Sequence, residues 1–168
     1  MITGTLISSV VGALLGFFSS LAIFYIQERW KDNYQQKQLL NNFKRELSFN
    51  IRFFNQYKKD LQDLLNKIEA DEKISFFTFN HHKIQKIFLL KALNLGILYD
   101  PLEPKDVVEI DYMLTFFSQA SNEIAKTTLN AYTRGNIEKE ELVEFLEQEI
   151  NFLIKYKKLL KRISLKLA

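Results

Sequence analysis

The sequence predicts an all-α protein in which an N-terminal transmembrane helix precedes a cytoplasmic, antiparallel bundle of long helices. The segment from Ile2 to Ile26 contains no charged side chain. Beyond it, apolar residues recur at every third or fourth position, which is typical of the buried face of a helix. The 168 residues include only 5 glycines and 2 prolines, so turns are few and helices are long. We divide the chain into a membrane helix (1–27), a helical stalk (28–39) and the bundle (40–168).

The uncharged N-terminal segment is long enough to cross a bilayer, which takes ~20 apolar residues. It lacks the basic start and the small-residue cleavage site of a secretory signal, so we interpret it as an uncleaved anchor. Arg29 and Lys31 follow the segment, and the positive-inside rule therefore places the N-terminus outside and the bundle in the cytoplasm. Tyr25 and Trp30 flank the same exit, where amphipathic rings favour the headgroup layer. These four side chains are the predicted membrane interface.

The same segment carries small residues at every fourth position. They are Gly4, Ser8, Gly12, Gly16 and Ser20. This spacing forms a shallow groove along one helix face, through which helices approach closely and associate in lipid. The alternative is chance, because small residues are common in membrane helices. We expect a homo-oligomer that forms through this face and through the bundle.

The bundle is predicted to contain three long helices and one short one. The first ends near Asp71, and its apolar stripe comprises Leu40, Phe43, Leu47, Ile51, Phe54, Leu61, Leu65 and Ile68. A short helix from about His82 to Leu95 stops at Gly96, which suits a left-handed C′ position. Pro104 opens a long helix that reaches the turn at Gly135, with Asn136 as the cap of the last helix. The aromatic stretch 74–79 lacks helical spacing and is expected to be extended.

Few reactive groups are arranged for catalysis. The absence of cysteine excludes disulfides, thiolate metal sites and cysteine nucleophiles. The chain has no P-loop, no GxGxxG and no GxSxG motif. Its two histidines are adjacent, whereas a helical zinc pair such as HExxH places them one turn apart. We therefore expect no catalytic residue, metal site or cofactor, and a protein that is not an enzyme.

A cluster of cations lies beside the aromatic stretch Phe76–Phe79. It comprises His81, His82, Lys83, Lys86 and Lys91. Cations next to rings would suit a nucleotide, with phosphate on the basic groups and a base stacked on a ring. The alternative is that the phenylalanines are core and the lysines a solvated face. A second basic run, Lys155 to Lys166, would either face anionic lipid or simply complement the dipole of the last helix.

The layout resembles that of short bacterial membrane proteins with one N-terminal span, a long helix of the Lys44–Ile51 type, an aromatic stretch like Phe76–Phe79 and a helical hairpin. It also resembles the membrane effectors of type III CRISPR and related antiphage systems. The resemblance implies a bacterial inner-membrane oligomer whose cytoplasmic domain binds a cyclic oligonucleotide, such as a cyclic oligoadenylate, and then acts on the membrane. The alternative is a membrane-tethered coiled-coil scaffold that recruits a protein partner and has no ligand.

Overall fold

The computed structural model describes residues 2–74 and 76–167, with side chains from residue 17 onward, and its regular secondary structure is helical. Within these ranges there is no strand, which confirms the all-α prediction. The helices are α1 (Ile2–Glu69), α2 (Ile87–Asn94), α3 (Pro104–Phe116), α4 (Gln119–Thr133) and α5 (Lys139–Lys166), with a 3₁₀ turn at His81–Lys83.

The chain divides into two compact units, Met1–Asn41 and Asn42–Ala168. Among the described residues, no helix meets the length and hydropathy needed for a membrane crossing. Four positions of the small-residue face, Gly4, Ser8, Gly12 and Gly16, lie outside the residues whose side chains are described. The fifth position, Ser20, is exposed, as are the predicted interface residues Tyr25, Arg29, Trp30 and Lys31.

The second unit is built on the apolar stripe of α1. Six of the eight predicted stripe residues are buried, namely Phe43, Leu47, Phe54, Leu61, Leu65 and Ile68. The other two, Leu40 and Ile51, are half-buried. The 3.5-residue spacing therefore identified the buried face of this helix correctly, because residues at that spacing share one side of an α-helix.

Two sets of contacts place α5 antiparallel to α1. At the C-terminal end of α1, the Lys139 ammonium contacts the Asp71 carboxylate at 2.7 Å. Further along both helices, Tyr57 and Glu149 reach the same side chain, His81. At ~1.5 Å per residue, Asn42 lies about 22 Å from Tyr57 toward the N-terminus of α1, and Arg162 lies about 20 Å from Glu149 toward the C-terminus of α5. The C-terminal end of α5 therefore lies at the end of the bundle where this unit begins.

The helix predicted from Pro104 to the turn at Gly135 is wrong in one respect, because it is broken at Phe117. That residue leaves helical geometry with φ −88° and ψ 50°, and its ring is buried and stacked on Phe54 with centroids 4.7 Å apart. Ser118 then caps α4, since its Oγ accepts a hydrogen bond from the Ser121 amide at 3.1 Å. The apolar spacing continues across the break, so periodicity alone could not reveal it.

Other boundaries follow local rules more closely. Gly96 and Gly135 have φ of +73° and +72°, which confirms them as left-handed positions just beyond helix ends. Pro104 opens α3 as predicted. The N-cap of α5 is Glu138 instead of the predicted Asn136. The helix predicted from about His82 to Leu95 is replaced by the 3₁₀ turn, an extended link and the shorter α2.

Candidate functional site

A buried polar cluster joins four segments of the second unit at His81. Its Nε2 lies 2.6 Å from the Glu149 carboxylate of α5, and its Nδ1 lies 3.4 Å from the Tyr57 hydroxyl of α1. The His81 backbone N–H donates to Asn122 Oδ1 of α4 at 3.2 Å. Because a carboxylate only accepts, the His81 Nε2 carries the proton of the Glu149 hydrogen bond. His81 thus ties the 3₁₀ turn to α1 and α5 through its side chain and to α4 through its backbone.

Aromatic rings enclose this histidine. The side chain of His81 is 0% exposed, and ring centroids within 6.1 Å belong to Tyr57, Phe79, Phe116 and Phe117. Burial raises the pKa of the Tyr57 phenol, and the hydrogen bond from the Asn80 backbone only partly opposes that effect. The phenol therefore stays neutral and remains a hydrogen-bonding partner at physiological pH. This arrangement fastens the bundle together and presents no group to solvent.

His81 is therefore separated from the surface cations with which the sequence grouped it. His82, Lys83 and Lys91 are exposed and Lys86 is half-buried, and none of these four has an ion-pair partner among the described residues. They follow one another along the 3₁₀ turn and α2. We call these four residues the cationic surface.

Two polar residues of α1, which sequence reasoning missed, hold this surface in place. The two carboxylate oxygens of Glu46 accept from the Phe88 and Leu89 amides at 2.8 and 2.9 Å, which caps the N-terminus of α2 from another helix. The Asn50 amide donates to the Gln85 carbonyl at 2.6 Å and accepts from the Gln85 amide at 2.9 Å. The sequence offered one indication of this role: Glu46 and Asn50 are polar, yet they lie among the apolar stripe residues Phe43, Leu47 and Phe54.

The outward side of α2 also carries apolar side chains. Ile87 is 73% exposed and Leu95 is 60% exposed, while Leu90 is partly exposed. Ile87, Lys91 and Leu95 are spaced four residues apart, so apolar and cationic groups alternate along one side of α2. The surface therefore differs from an ordinary solvated face, on which charged groups predominate.

The C-terminal basic run divides into paired and unpaired cations. Arg162 and Lys166 bind the fully buried Asp106 carboxylate of α3 at 2.7 and 2.8 Å. Burial pushes the pKa of the Asp106 carboxyl upward, but the hydrogen bonds from Lys166 and Arg162 together outweigh burial and lower it. Lys158 and Lys161 are exposed and have no ion pair among the described residues. The paired cations fasten α3 to α5, and the unpaired ones remain available to an anion.

Two grooves border the aromatic stretch. One, of about 360 Å³, lies between this stretch and α1, with Asp60, Asp63 and Lys67 on the helix side. The other, of about 550 Å³, lies between the stretch and α4, where Lys126 and Asn130 line it. Phe76, at 85% exposure, belongs to both linings, whereas Phe79 is fully buried. The sequence left open whether these rings are exposed or belong to the core. Phe76 lies on the surface and Phe79 lies in the core.

Neither groove is lined by a residue of the cationic surface. Stacking of a base on Phe76 and binding of its phosphate by Lys83 or Lys86 would therefore involve different parts of the bundle.

Comparison of the chain with protein-family models, with curated proteins and with solved structures finds no significant match.

Proposed function

We propose that this chain is a single-pass membrane protein of a bacterial inner membrane whose helical bundle is a non-enzymatic binding module for an anionic partner. The observation that carries the proposal is the cationic surface, where His82, Lys83, Lys86 and Lys91 have no ion-pair partner among the described residues. Glu46, which contacts the N-terminus of α2, uses both its oxygens to cap that helix. An anion supplied from outside the chain would satisfy these cations.

The membrane part of the proposal is supported by the sequence. The segment Ile2–Ile26 has no charged side chain, and Arg29 and Lys31 follow it, as at the cytoplasmic end of a membrane helix. The small-residue spacing from Gly4 to Ser20 supports self-association. By resemblance to antiphage membrane effectors, a cyclic oligoadenylate is the soluble anion to test first, with an effect on the membrane as the output.

The anion-binding part is tested with the full chain in detergent. A panel of cyclic oligoadenylates, ATP and inorganic polyphosphate is added, and the thermal unfolding midpoint is measured. A specific anion at 100 times its Kd stabilises the folded state by about 2.7 kcal/mol. The shift should disappear in the Lys83→Glu plus Lys86→Glu variant and persist in the matched Lys58→Glu plus Lys59→Glu variant, whose lysines are exposed on α1. If no anion shifts the midpoint, soluble-ligand sensing is wrong.

The anchor is tested separately. An integral helix resists extraction of membranes with alkaline carbonate, whereas a peripheral protein is released. Release of the full chain from bacterial membranes would contradict the anchor without affecting the anion-binding result.

A second candidate function, a scaffold for a protein partner, is favoured by Phe76, which is 85% exposed between two grooves. Exposed aromatic side chains beside a groove are typical anchors in protein interfaces. A photo-crosslinking amino acid at position 76 should then give a discrete protein adduct in cells, and one at the exposed Glu141 should not. An adduct at position 76 together with no response to any anion would favour the scaffold.

A further inference from the structure

The end of the bundle where the second unit begins combines exposed cations with exposed apolar side chains. α2 lies at this end because Glu46, which caps it, is only about 6 Å along α1 from Asn42 at ~1.5 Å per residue. The C-terminal end of α5 lies at the same end, since α5 is antiparallel to α1 through the contacts at His81 and Lys139. Two elements that are remote in sequence thus share one end of the bundle.

Six side chains give this end its character, and we call them the amphipathic end. They are Lys86, Ile87, Lys91 and Leu95 of the α2 region, and Lys161 and Leu165 of α5. Leu165 is 78% exposed, and Ile87 and Leu95 are mostly exposed as well. The three lysines have no ion pair among the described residues. The combination of apolar groups that leave water with unpaired cations matches an anionic lipid surface.

Acidic residues at this end do not cancel the charge. Glu46 is buried and hydrogen-bonded to the α2 amides, and Asp106 is buried against Arg162 and Lys166. Two exposed acids lie in this region: Glu103, which pairs with Lys105 and Lys166, and Asp100 in the loop after α2. The three lysines of the amphipathic end therefore leave a positive balance on the exposed side.

We infer that the amphipathic end docks on anionic phospholipid of the membrane in which the chain is anchored. This inference rests on the proposed function, because the anchor in residues 1–27 tethers the chain to the membrane, and it identifies the anionic partner as a lipid headgroup. Since Glu46 is about 30 Å along α1 from Ile26 at ~1.5 Å per residue, docking requires α1 to bend within the stalk (28–39). The two leucines and Ile87 enter the headgroup layer, while the lysines bind the phosphate and carboxylate groups above it. Docking therefore requires negative lipid charge and weakens with salt.

The absence of cysteine makes a site-specific test straightforward. Full chains carrying Leu95→Cys or Glu141→Cys are labelled with a fluorophore and reconstituted into vesicles that contain spin-labelled headgroups. Position 141 is exposed near Lys139, at the opposite end of the bundle. In vesicles of phosphatidylcholine with phosphatidylserine, the label at position 95 should be quenched and the label at position 141 should not. The quenching should disappear at about 1 M salt, where the Debye length falls to ~3 Å.

Substitution of two lysines of the amphipathic end gives a quantitative test of docking. Each lysine near an anionic surface contributes about fivefold to binding, so Lys91→Gln plus Lys161→Gln should lower the docked-to-undocked ratio about 30-fold. The matched control, Lys67→Gln plus Lys73→Gln, removes the same charge from exposed positions at the opposite end and should leave the ratio unchanged. If the variant fails to reconstitute, the salt dependence of the Leu95→Cys chain alone decides the question.

Two results would overturn docking. They are no quenching at position 95 in anionic vesicles and equal quenching in vesicles of phosphatidylcholine alone. If the chain binds a cyclic oligoadenylate but does not dock, the proposed function stands and the docking inference is wrong. If the chain docks but carbonate extracts it from membranes, docking stands and the anchor is wrong.

Discussion

The substitution of Glu149 tests whether the buried cluster at His81 holds the bundle together. In the folded protein the two side chains are 2.6 Å apart, the imidazole is fully buried and the carboxylate is nearly so. In the Glu149→Leu variant the His81 Nε2 loses its acceptor inside a cage of aromatic rings, where water cannot replace it. Leaving a buried hydrogen-bond donor without an acceptor costs about 1–3 kcal/mol. A typical small domain has a stability of only ~5–15 kcal/mol, so the loss should be large.

The assay is urea unfolding of the full chain in detergent, followed by far-UV circular dichroism. Fluorescence of Trp30 would not report on the bundle, since this residue belongs to the first unit. The matched control is Glu147→Leu, an exposed glutamate on the same helix, which should change the free energy of unfolding by no more than ~0.5 kcal/mol.

The double variant His81→Phe plus Glu149→Leu separates pairing from packing. It removes both polar partners at once and should recover much of the lost stability, because an apolar pair of similar size leaves no unsatisfied group. A Glu149→Leu variant within ~1 kcal/mol of the wild type would refute the proposed role of the pair. A double variant that loses the full sum of both single losses would show that the two side chains act independently.

Three further predictions concern other contacts. The folded-state pKa of Asp106 lies below its ordinary value of 3.8, so its stabilisation is present above that pH and is lost as the pH falls through the folded-state pKa. The stability difference between the wild type and Asp106→Asn, from urea unfolding, should therefore be constant near neutral pH and shrink below pH 3.8; a difference that grows there would contradict the ion pairs. Gly135→Ala should cost about 1 kcal/mol through left-handed strain alone, because nothing lies within 4 Å of the added Cβ, and an unchanged urea midpoint would be inconsistent with the φ of +72°. Glu46→Gln should weaken the α2 cap by about 1.5–3 kcal/mol and speed hydrogen exchange of the Phe88 and Leu89 amides, whereas the exposed Arg45→Gln should not.

Local rules were sufficient for most of the helices. The stripe from Phe43 to Ile68 is buried as its spacing predicts, except for the half-buried Ile51. Gly96, Pro104 and Gly135 mark helix ends through their own backbone preferences. These features depend on residues a few positions apart, so the sequence contains the needed information. The break at Phe117 was missed because burial of its ring against Phe54 of another helix determines its backbone.

The predicted site was only partly recoverable for the same reason. His81 and His82 are adjacent and identical in type, and no local pattern distinguishes them. The difference arises from Tyr57, Asn122 and Glu149, which lie 24, 41 and 68 positions away and meet only when α1, α4 and α5 pack together. The sequence alone determined that the chain is helical, that its N-terminal segment is uncharged and that cations follow the aromatic stretch. The tertiary structure decided which histidine is core, which lysines stay unpaired and which helix ends meet, because burial and pairing depend on contacts between distant segments.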